Sequence, residues 1–206
     1  MSGGEGRVRR DGLPAMLLFV AAPFLALFLG ILAHPAGLLD SDEEIRARTE
    51  SWRPLARAAA AEAAVPVDLL LALVATESSG RAAATSDADA RGLTQILPGT
   101  AREVAVSIGH PSPGEVDCYD PRTNLRLGAG YLSDMLRNFG GDAALALAAY
   151  HRGPRDPLRW HAEAPGRPGL EVVRERAPAS RTLAYVERVL ARRRWFAAAP
   201  AGEGAR

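Results

Sequence analysis

One carboxylate in this chain stands where an apolar residue is expected. Glu77 continues the helical spacing of three apolar residues, Leu70, Leu73 and Val74. Pro66 predicts the start of this helix and Gly80 its end. A carboxylate on an apolar helix face is costly unless it is paired or protonated, and the last helical turn also disfavours negative charge. Both effects raise the pKa of Glu77, as a general acid requires near neutral pH. The alternative is an ordinary surface glutamate at a helix end.

Three other segments place polar and aromatic side chains at helix ends. Gln95, the only glutamine in the chain, comes just before a helix that Pro98 is expected to begin. Tyr150 and His151 end an apolar helix, and Tyr185 lies near the start of the last helix. Tyrosine rings cover sugar faces, while hydroxyl and amide groups bond sugar hydroxyls. These segments therefore predict a saccharide-binding cleft.

The elements that position these residues are predicted to be helices. A capping box at Ser41–Glu44 opens the first helix, Asp142 is a predicted N-cap, and the last helix runs from Thr182 to Phe196. A long amphipathic helix is expected from Pro121 to Gly140. Residues 81–91 are expected to form a loop, and residues 153–178, rich in proline and glycine, an irregular loop with little helix. Because no segment shows the alternation of a strand, the fold class is predicted as mainly α.

An apolar segment near the N-terminus predicts a membrane anchor. Residues 13–33 are long enough to cross a bilayer, and arginines precede them while acidic residues follow. We expect residues 1–12 to form a cytoplasmic tail, 13–33 a signal anchor, 34–50 a linker and the start of the first helix, 51–197 the globular domain, and 198–206 a disordered tail. The domain would then lie in the periplasm, on a single-pass inner-membrane protein. Secretion after signal-peptide cleavage is the alternative.

Composition excludes several other functions. The formal net charge is +1, which gives no reason to expect a nucleic-acid partner. The single cysteine, Cys118, excludes an internal disulfide and is expected to be a small buried residue. The four histidines have no metal-binding spacing, so no metal and no cofactor is expected.

Taken together, the motifs resemble the family 1 soluble-lytic-transglycosylase (SLT) domain of the lysozyme-like superfamily. The matching residues keep the family's order and spacing across about residues 52–196: Glu77, Ser78, Ser86, Ala90, Gly92, Leu93, Gln95, Pro98, Thr100, Asn124, Gly128, Tyr131, Leu132, Ala149, Tyr150, Gly153, Pro154, Thr182, Tyr185 and Val186. Each match alone is weak, but their combination is specific. The resemblance implies a helical domain of the α+β lysozyme-like class.

The resemblance also implies a reaction. In this family a single glutamate protonates the glycosidic oxygen between N-acetylmuramic acid and N-acetylglucosamine in peptidoglycan. It then removes a proton from the muramic 6-hydroxyl, which closes a 1,6-anhydro ring. Glu77 would be this acid and base. The residues expected to orient it or bind glycan are Ser78, Gln95, Tyr150, His151 and Tyr185. Asn124 is expected to fix its helix start rather than touch substrate.

The chain departs from the family pattern at Asp89, Thr94, His151, Arg152 and Arg181, where the family has Gly, Met, Asn, Ala and Glu. Thr94 would remove an apolar contact beside the cleft, and Arg181 removes a carboxylate near Tyr185. A second catalytic carboxylate, Asp87 or Asp89, is a less favoured alternative. Two other functions stay open: a hydrolysing lysozyme, and a non-catalytic wall-binding subunit of a secretion or pilus apparatus.

Overall fold

The structure is a computed structural model, and it describes residues 40–197. The helices within this range are α1 (Asp42–Glu50), α2 (Arg53–Ala63), α3 (Val67–Glu77), α4 (Pro98–Ser107), α5 (Pro121–Asn138), α6 (Ala143–Arg152), α7 (Arg155–Glu163), α8 (Gly169–Arg176) and α9 (Arg181–Ala197), with a short 3-10 turn at Pro113–Glu115. The mainly α prediction is confirmed for this part of the chain. Strand pairing there is limited to isolated bridges in the 85–96 loop.

Local signals in the sequence set most helix ends. The capping box is formed, since Ser41 accepts from the Glu44 amide and the Glu44 carboxylate accepts from the Ser41 amide. Asp142 accepts from the Leu145 amide as the N-cap of α6. Prolines stand in the first turn of α2, α4 and α5, where their missing N–H costs nothing. Pro54 lies in the first turn of α2, just after the residues that separate α1 from α2.

Two helices form the centre of the domain. Every residue of α3 from Leu69 to Ala75 is buried, and so is every residue of α6 from Ala144 to Tyr150. A helix that is apolar on all sides must be covered on all sides. The helices α1, α2 and α9 pack on α3, while α5, α7, α8 and α9 pack on α6. Glu77 therefore ends one of the two most enclosed helices of the core.

The prediction for residues 153–178 is wrong, because α7 and α8 occupy most of this segment. Its prolines lie where a helix tolerates them: Pro154 and Pro168 are the N-caps of α7 and α8, and Pro157 is in the first turn of α7. Burial of Trp160 in α7, and of Val172 and Val173 in α8, attaches both helices to the core. Tertiary burial thus outweighs the local preference for a loop.

The predicted membrane anchor at residues 13–33 and the predicted disordered tail at residues 198–206 lie outside the described residues. Among the helices of residues 40–197, none combines the length and the apolar character needed to cross a bilayer.

Candidate active site

Glu77 is the last residue of α3 and lies half-buried at its C-terminal end. Burial withholds water from the carboxylate and raises its pKa from 4.5 to about 7. A hydrogen bond from Tyr185 acts in the opposite direction and lowers the pKa. The raised pKa predicted from helical spacing is confirmed, with loss of hydration as its main cause. The acid and the carboxylate forms are therefore both accessible near neutral pH.

Tyr185 orients the Glu77 carboxyl. Its hydroxyl donates to Glu77 Oε1 over 2.6 Å, and burial together with the nearby carboxylate raises the pKa of Tyr185 well above 10. Because the phenol stays protonated at any physiological pH, it remains a donor. Oε1 is thus occupied by Tyr185, and Oε2 is the oxygen left for a proton and for a bound molecule.

His151 stacks on the other side of this tyrosine. The rings of His151 and Tyr185 are 4.5 Å apart and nearly parallel, and Nδ1 of His151 lies 3.3 Å from the Thr182 hydroxyl. Burial, followed by the charges of Arg152 and Arg181, lowers the pKa of His151 to about 4. The imidazole is therefore neutral at neutral pH and places no charge beside Glu77. The structure brings Glu77, Tyr185 and His151 into one cluster.

Tyr150 lies near the cluster without a hydrogen bond to Glu77. Its hydroxyl donates to the Thr94 carbonyl over 3.0 Å, and its ring packs at a tilt on Tyr131, 5.0 Å between centroids. Burial and then the charge of Glu77 raise the pKa of Tyr150 well above 10. Tyr150 thus links α6 to the loop that contains Gln95. It lies close enough to Glu77 for the charge of the carboxylate to affect its pKa.

The side chains of Ser78 and Gln95 are engaged with the backbone. The Ser78 hydroxyl donates to the Leu93 carbonyl over 2.8 Å, joining the end of α3 to the 92–97 loop. The Gln95 amide nitrogen donates to the carbonyls of Ala84 and Gly92, and its backbone has a left-handed φ of 48°. These bonds leave the amide oxygen of Gln95 as the atom able to accept from a glycan. Glycan binding by Ser78 and Gln95 stays a prediction.

Asn124, on α5, bonds the same loop that contains Gln95. Its amide oxygen accepts from the backbone N–H and the hydroxyl of Thr94, and its nitrogen donates to the carbonyls of Arg91 and Cys118. Asn124 and Thr94 are both fully buried. Asn124 is predicted to fix the start of its own helix, but only its bond to Cys118 lies there, and its other partners, Thr94 and Arg91, belong to the loop before α4. Threonine stands where the family has methionine, which suggested a position beside the cleft. Thr94 does not border the cleft, because Asn124 holds its hydroxyl inside the fold. Cys118 is buried as expected.

The acidic loop residues are directed to other partners. Asp89 forms a two-bond ion pair with Arg91, at 2.8 and 2.9 Å, and Asp87 is exposed. Burial and the hydrogen bond from Tyr185 set the pKa of Glu77. No second carboxylate in the described part of the chain contributes to this pKa. No group of three or more potential metal ligands occurs within residues 40–197. The site is thus built on one carboxyl group.

Sequence patterns did not reveal the arginines that hold α3. Arg192 donates to the Ala75 carbonyl over 2.6 Å, in the last turn of α3, and Arg193 pairs with Asp68 in its first turn. Both arginines belong to α9, which also carries Tyr185. The helix that supplies the partner of Glu77 is therefore bonded to both ends of the helix that supplies Glu77. Because these arginines lie far from α3 along the sequence, no local sequence pattern could indicate their bonds to it.

A groove of about 720 Å³ lies elsewhere, between α2, the end of α4 and α5. Neither Glu77 nor Tyr185 lines it, and its charged side chains are paired with one another, Arg126 with Glu62 and Arg137 with Asp134. Because the raised-pKa carboxyl and its partners lie at the end of α3, we place the candidate active site there.

The fold and site define a class of protein: a helical domain with a single acid of raised pKa, held by one tyrosine and flanked by a histidine and a second tyrosine. Residues 54–172 match the Transglycosylase SLT domain family, and the chain belongs to that family. The resemblance inferred from the sequence motifs is therefore confirmed. Tyr185 lies beyond the matched segment, on α9.

Relatives and solved structures agree with this assignment. The chain is 34% identical over 130 residues to the soluble lytic murein transglycosylase of Escherichia coli K12, covering 62% of this chain and 20% of the relative. It is 35% identical over 118 residues to a transglycosylase of Enterobacteria phage PRD1, covering 57% of this chain and 40% of the relative. The membrane-bound lytic murein transglycosylase C of Yersinia pestis is 34% identical over 121 residues, covering 54% of this chain and 34% of that protein.

Two solved structures show the same fold. The 70 kDa soluble lytic transglycosylase of Escherichia coli superposes with a TM-score of 0.62 at 30% identity, over 70% of this chain and 24% of that one. An inactive glutamate-to-glutamine mutant of the lytic transglycosylase Slt from Pseudomonas aeruginosa gives 0.61 at 30% identity, over 68% and 23%. The chain spans about a fifth of the length of the soluble murein transglycosylases that it matches.

Proposed function

We propose that this chain is a peptidoglycan lytic transglycosylase that cleaves the β-1,4 bond between N-acetylmuramic acid and N-acetylglucosamine, with Glu77 as its single acid and base. The observation that carries the proposal is the Glu77 site itself. Its pKa of about 7 lets one carboxyl group both give and take a proton near neutral pH. The family's other members named above are transglycosylases, and one of them is inactive after a glutamate-to-glutamine change.

In the first step the protonated Glu77 donates to the bridging glycosidic oxygen. Tyr185 occupies Oε1, so the transferred proton comes from Oε2. The bond between muramic C1 and that oxygen breaks, and N-acetylglucosamine leaves with a free 4-hydroxyl. Positive charge develops on the muramic ring as the bond breaks. Glu77, now ionised, faces that charge, and the neutral His151 adds no competing cation beside it.

In the second step the ionised Glu77 accepts the proton of the muramic 6-hydroxyl. The 6-oxygen bonds to C1, the 1,6-anhydro ring closes, and Glu77 returns to its acid form. No water is consumed, and the nucleophile belongs to the substrate, so a second carboxylate is not required. This agrees with the pairing of Asp89 to Arg91 and with the exposure of Asp87. Tyr185 keeps the carboxyl in one orientation through both steps.

The residues around Glu77 are proposed to hold the glycan. The stacked rings of His151 and Tyr185 offer an apolar surface for a sugar face, and the free amide oxygen of Gln95 accepts from an N-acetyl N–H or a hydroxyl. The buried Tyr150 supports the loop that carries Gln95. Ser78 acts by fixing the same loop to α3. These roles require no metal and no cofactor.

We further propose that residues 13–33 anchor the chain in the inner membrane, with residues 51–197 as the catalytic domain in the periplasm. The apolar length of the segment and the arginines before it support this placement. One family member similar to this chain is a membrane-bound lytic murein transglycosylase. Fractionation of cells with an epitope at the C-terminus tests it: a membrane-bound, externally accessible epitope is expected, and a processed, freely released product would favour signal-peptide cleavage.

The decisive experiment is digestion of purified peptidoglycan, with mass spectrometry of the products. Wild-type protein is expected to release 1,6-anhydromuropeptides, and Glu77→Gln at least a thousand-fold less, on the order of the loss from removing an essential catalytic group. Asp89→Asn is the matched control and should retain activity. Reducing muramic ends would identify a hydrolysing lysozyme instead. Absence of any product from the folded protein would leave the non-catalytic wall-binding role.

A further inference from the structure

The chain leaves α3 through a tight turn directly after Glu77. Ser79 and Gly80 have successive left-handed φ angles of 54° and 75°. A Cβ added at Gly80 would lie 3.0–3.2 Å from Thr49 atoms, so the turn is seated against the end of α1. The preceding residue, Ser78, is fixed to Val74 and Leu93. The direction in which the chain departs from Glu77 is therefore set by contacts with α1 and the residues beside it.

Two donors from the α1 region hold the carbonyl groups of this turn. Arg48 Nη1 donates to the Ser79 carbonyl over 2.9 Å, and Trp52 Nε1 donates to the Gly80 carbonyl over 2.9 Å. Asp40 in turn holds the Arg48 guanidinium at 3.0 Å and also pairs with Arg81, just beyond the turn. The Asp40 side chain is 17% exposed, so its pair with Arg48 is partly shielded from solvent.

We infer that Arg48 and Trp52, with Asp40 orienting Arg48, are positioning residues for Glu77. This inference rests on the proposed function. The three residues precede residue 54, where the match to the family begins, so they form an addition to the matched segment. Within the described residues, no hydrogen bond or ion pair joins them to Glu77 itself. They act by fixing the 78–80 turn, which determines where the last residue of α3 presents its carboxyl group and how completely water is kept from it.

The inference predicts a specific kinetic signature. Loosening the turn misplaces the acid without removing a glycan contact, so the turnover number should fall while the Michaelis constant stays nearly constant. Displacements of about 1 Å at a catalytic group lower rates by up to roughly a hundred-fold. We therefore expect Arg48→Gln to lower kcat by about ten- to a hundred-fold, with KM within about two-fold, because one well-placed acid supplies the chemistry.

The experiment compares Arg48→Gln and Trp52→Phe in the full-length chain, using soluble glycan oligomers of uniform length as substrate. Arg46→Gln is the matched control, since Arg46 is exposed on the same helix and loses the same charge. Trp52→Phe keeps a ring but removes the donor, and it provides a milder variant if Arg48→Gln does not fold. Arg48→Lys retains charge and donors and should recover part of the lost kcat.

A second readout does not depend on activity. Carbon-13 NMR of glutamate-labelled protein, with Glu77→Gln for assignment, follows the titration of the Glu77 carboxyl. Water entering beside a loosened turn should move its titration toward the ordinary 4.5 in Arg48→Gln and Trp52→Phe, and leave it near 7 in Arg46→Gln. If both the Glu77 titration and kcat are unchanged in Arg48→Gln and Trp52→Phe, the inference is overturned. If wild-type protein forms no anhydro product, the proposed function fails while the titration still decides the positioning role.

Discussion

Replacing Glu77 by glutamine should stabilise the folded protein at alkaline pH. Burial raises the pKa of Glu77 from 4.5 to about 7, so the folded state binds this proton more tightly than the unfolded chain does. A group whose pKa is raised by folding in this way makes the folded protein less stable as pH rises. The loss of stability begins near pH 4.5 and is complete above about pH 7. Glutamine has nearly the same shape, carries no charge and can still accept from the Tyr185 hydroxyl, so it removes this cost.

The magnitude follows from the size of the pKa change. The interval from 4.5 to about 7, at about 1.4 kcal/mol per pH unit, gives an upper value of about 3 kcal/mol. Glu77 is half-buried rather than fully enclosed, so solvent screening reduces this to roughly 2 kcal/mol at pH 8.5. For a domain of this size, about 2 kcal/mol corresponds to a rise in melting temperature of roughly 4–8 °C.

Thermal unfolding at pH 8.5 and pH 4.5 measures this effect. Glu77→Gln is expected to melt higher than wild type at pH 8.5, and the advantage should shrink to a small fraction of that value at pH 4.5. Glu103→Gln, on the exposed side of α4, is the control and should change stability little at either pH. An equal gain at both values of pH, or no gain at pH 8.5, would refute the conclusion that the ionised Glu77 is poorly hydrated.

Two further substitutions test the surroundings of the site. Tyr185→Phe removes a hydrogen bond that favours ionised Glu77. A hydrogen bond to a charged group is stronger than one to a neutral group by about 1–1.5 kcal/mol, so the alkaline limb of the kcat/KM profile should move up by about one pH unit. Tyr119→Phe, in an exposed loop, is the control and should leave the alkaline limb unchanged. Gly128→Ala would place a Cβ 2.4 Å from a buried threonine side chain and should cost about 1–3 kcal/mol in chemical denaturation, while Gly99→Ala, with nothing within 4 Å, should cost little. A neutral Gly128→Ala would mean that α5 and the loop can separate freely.

The sequence predicted the parts of the fold that depend on neighbours along the chain. The capping box at Ser41, the N-cap at Asp142 and the proline at the start of α5 act within one helical turn, and all are present as expected. The same local reasoning failed for residues 153–178. There, proline density suggested a loop, but first-turn prolines and the burial of Trp160 support two helices.

The candidate site shows the same division. Helical spacing alone identified Glu77 as a carboxylate poor in water, since Leu70, Leu73 and Val74, which share its face of α3, are apolar. Its bond to Tyr185 joins residues 108 positions apart, and no periodicity can report such a pair. The family resemblance supplied that tyrosine, but Arg48, which bonds the turn after α3, and Arg192, which bonds Ala75 in α3, follow no shared pattern and required the structure.

The two influences on Glu77 have opposite signs, and their balance matters for the proposed reaction. Burial alone would leave the group protonated at neutral pH, ready to donate but reluctant to remain ionised between the two steps. The Tyr185 hydroxyl offsets part of that effect, and the resulting pKa of about 7 leaves both forms populated. A single group that must first give a proton and then take one works best near this midpoint. Tyr185 on α9, which lowers the pKa of Glu77, and Arg48 and Trp52, which hold the 78–80 turn, lie on either side of the segment that matches the family. Substitutions there are therefore expected to tune the pH range of cleavage without changing the bond that is cleaved.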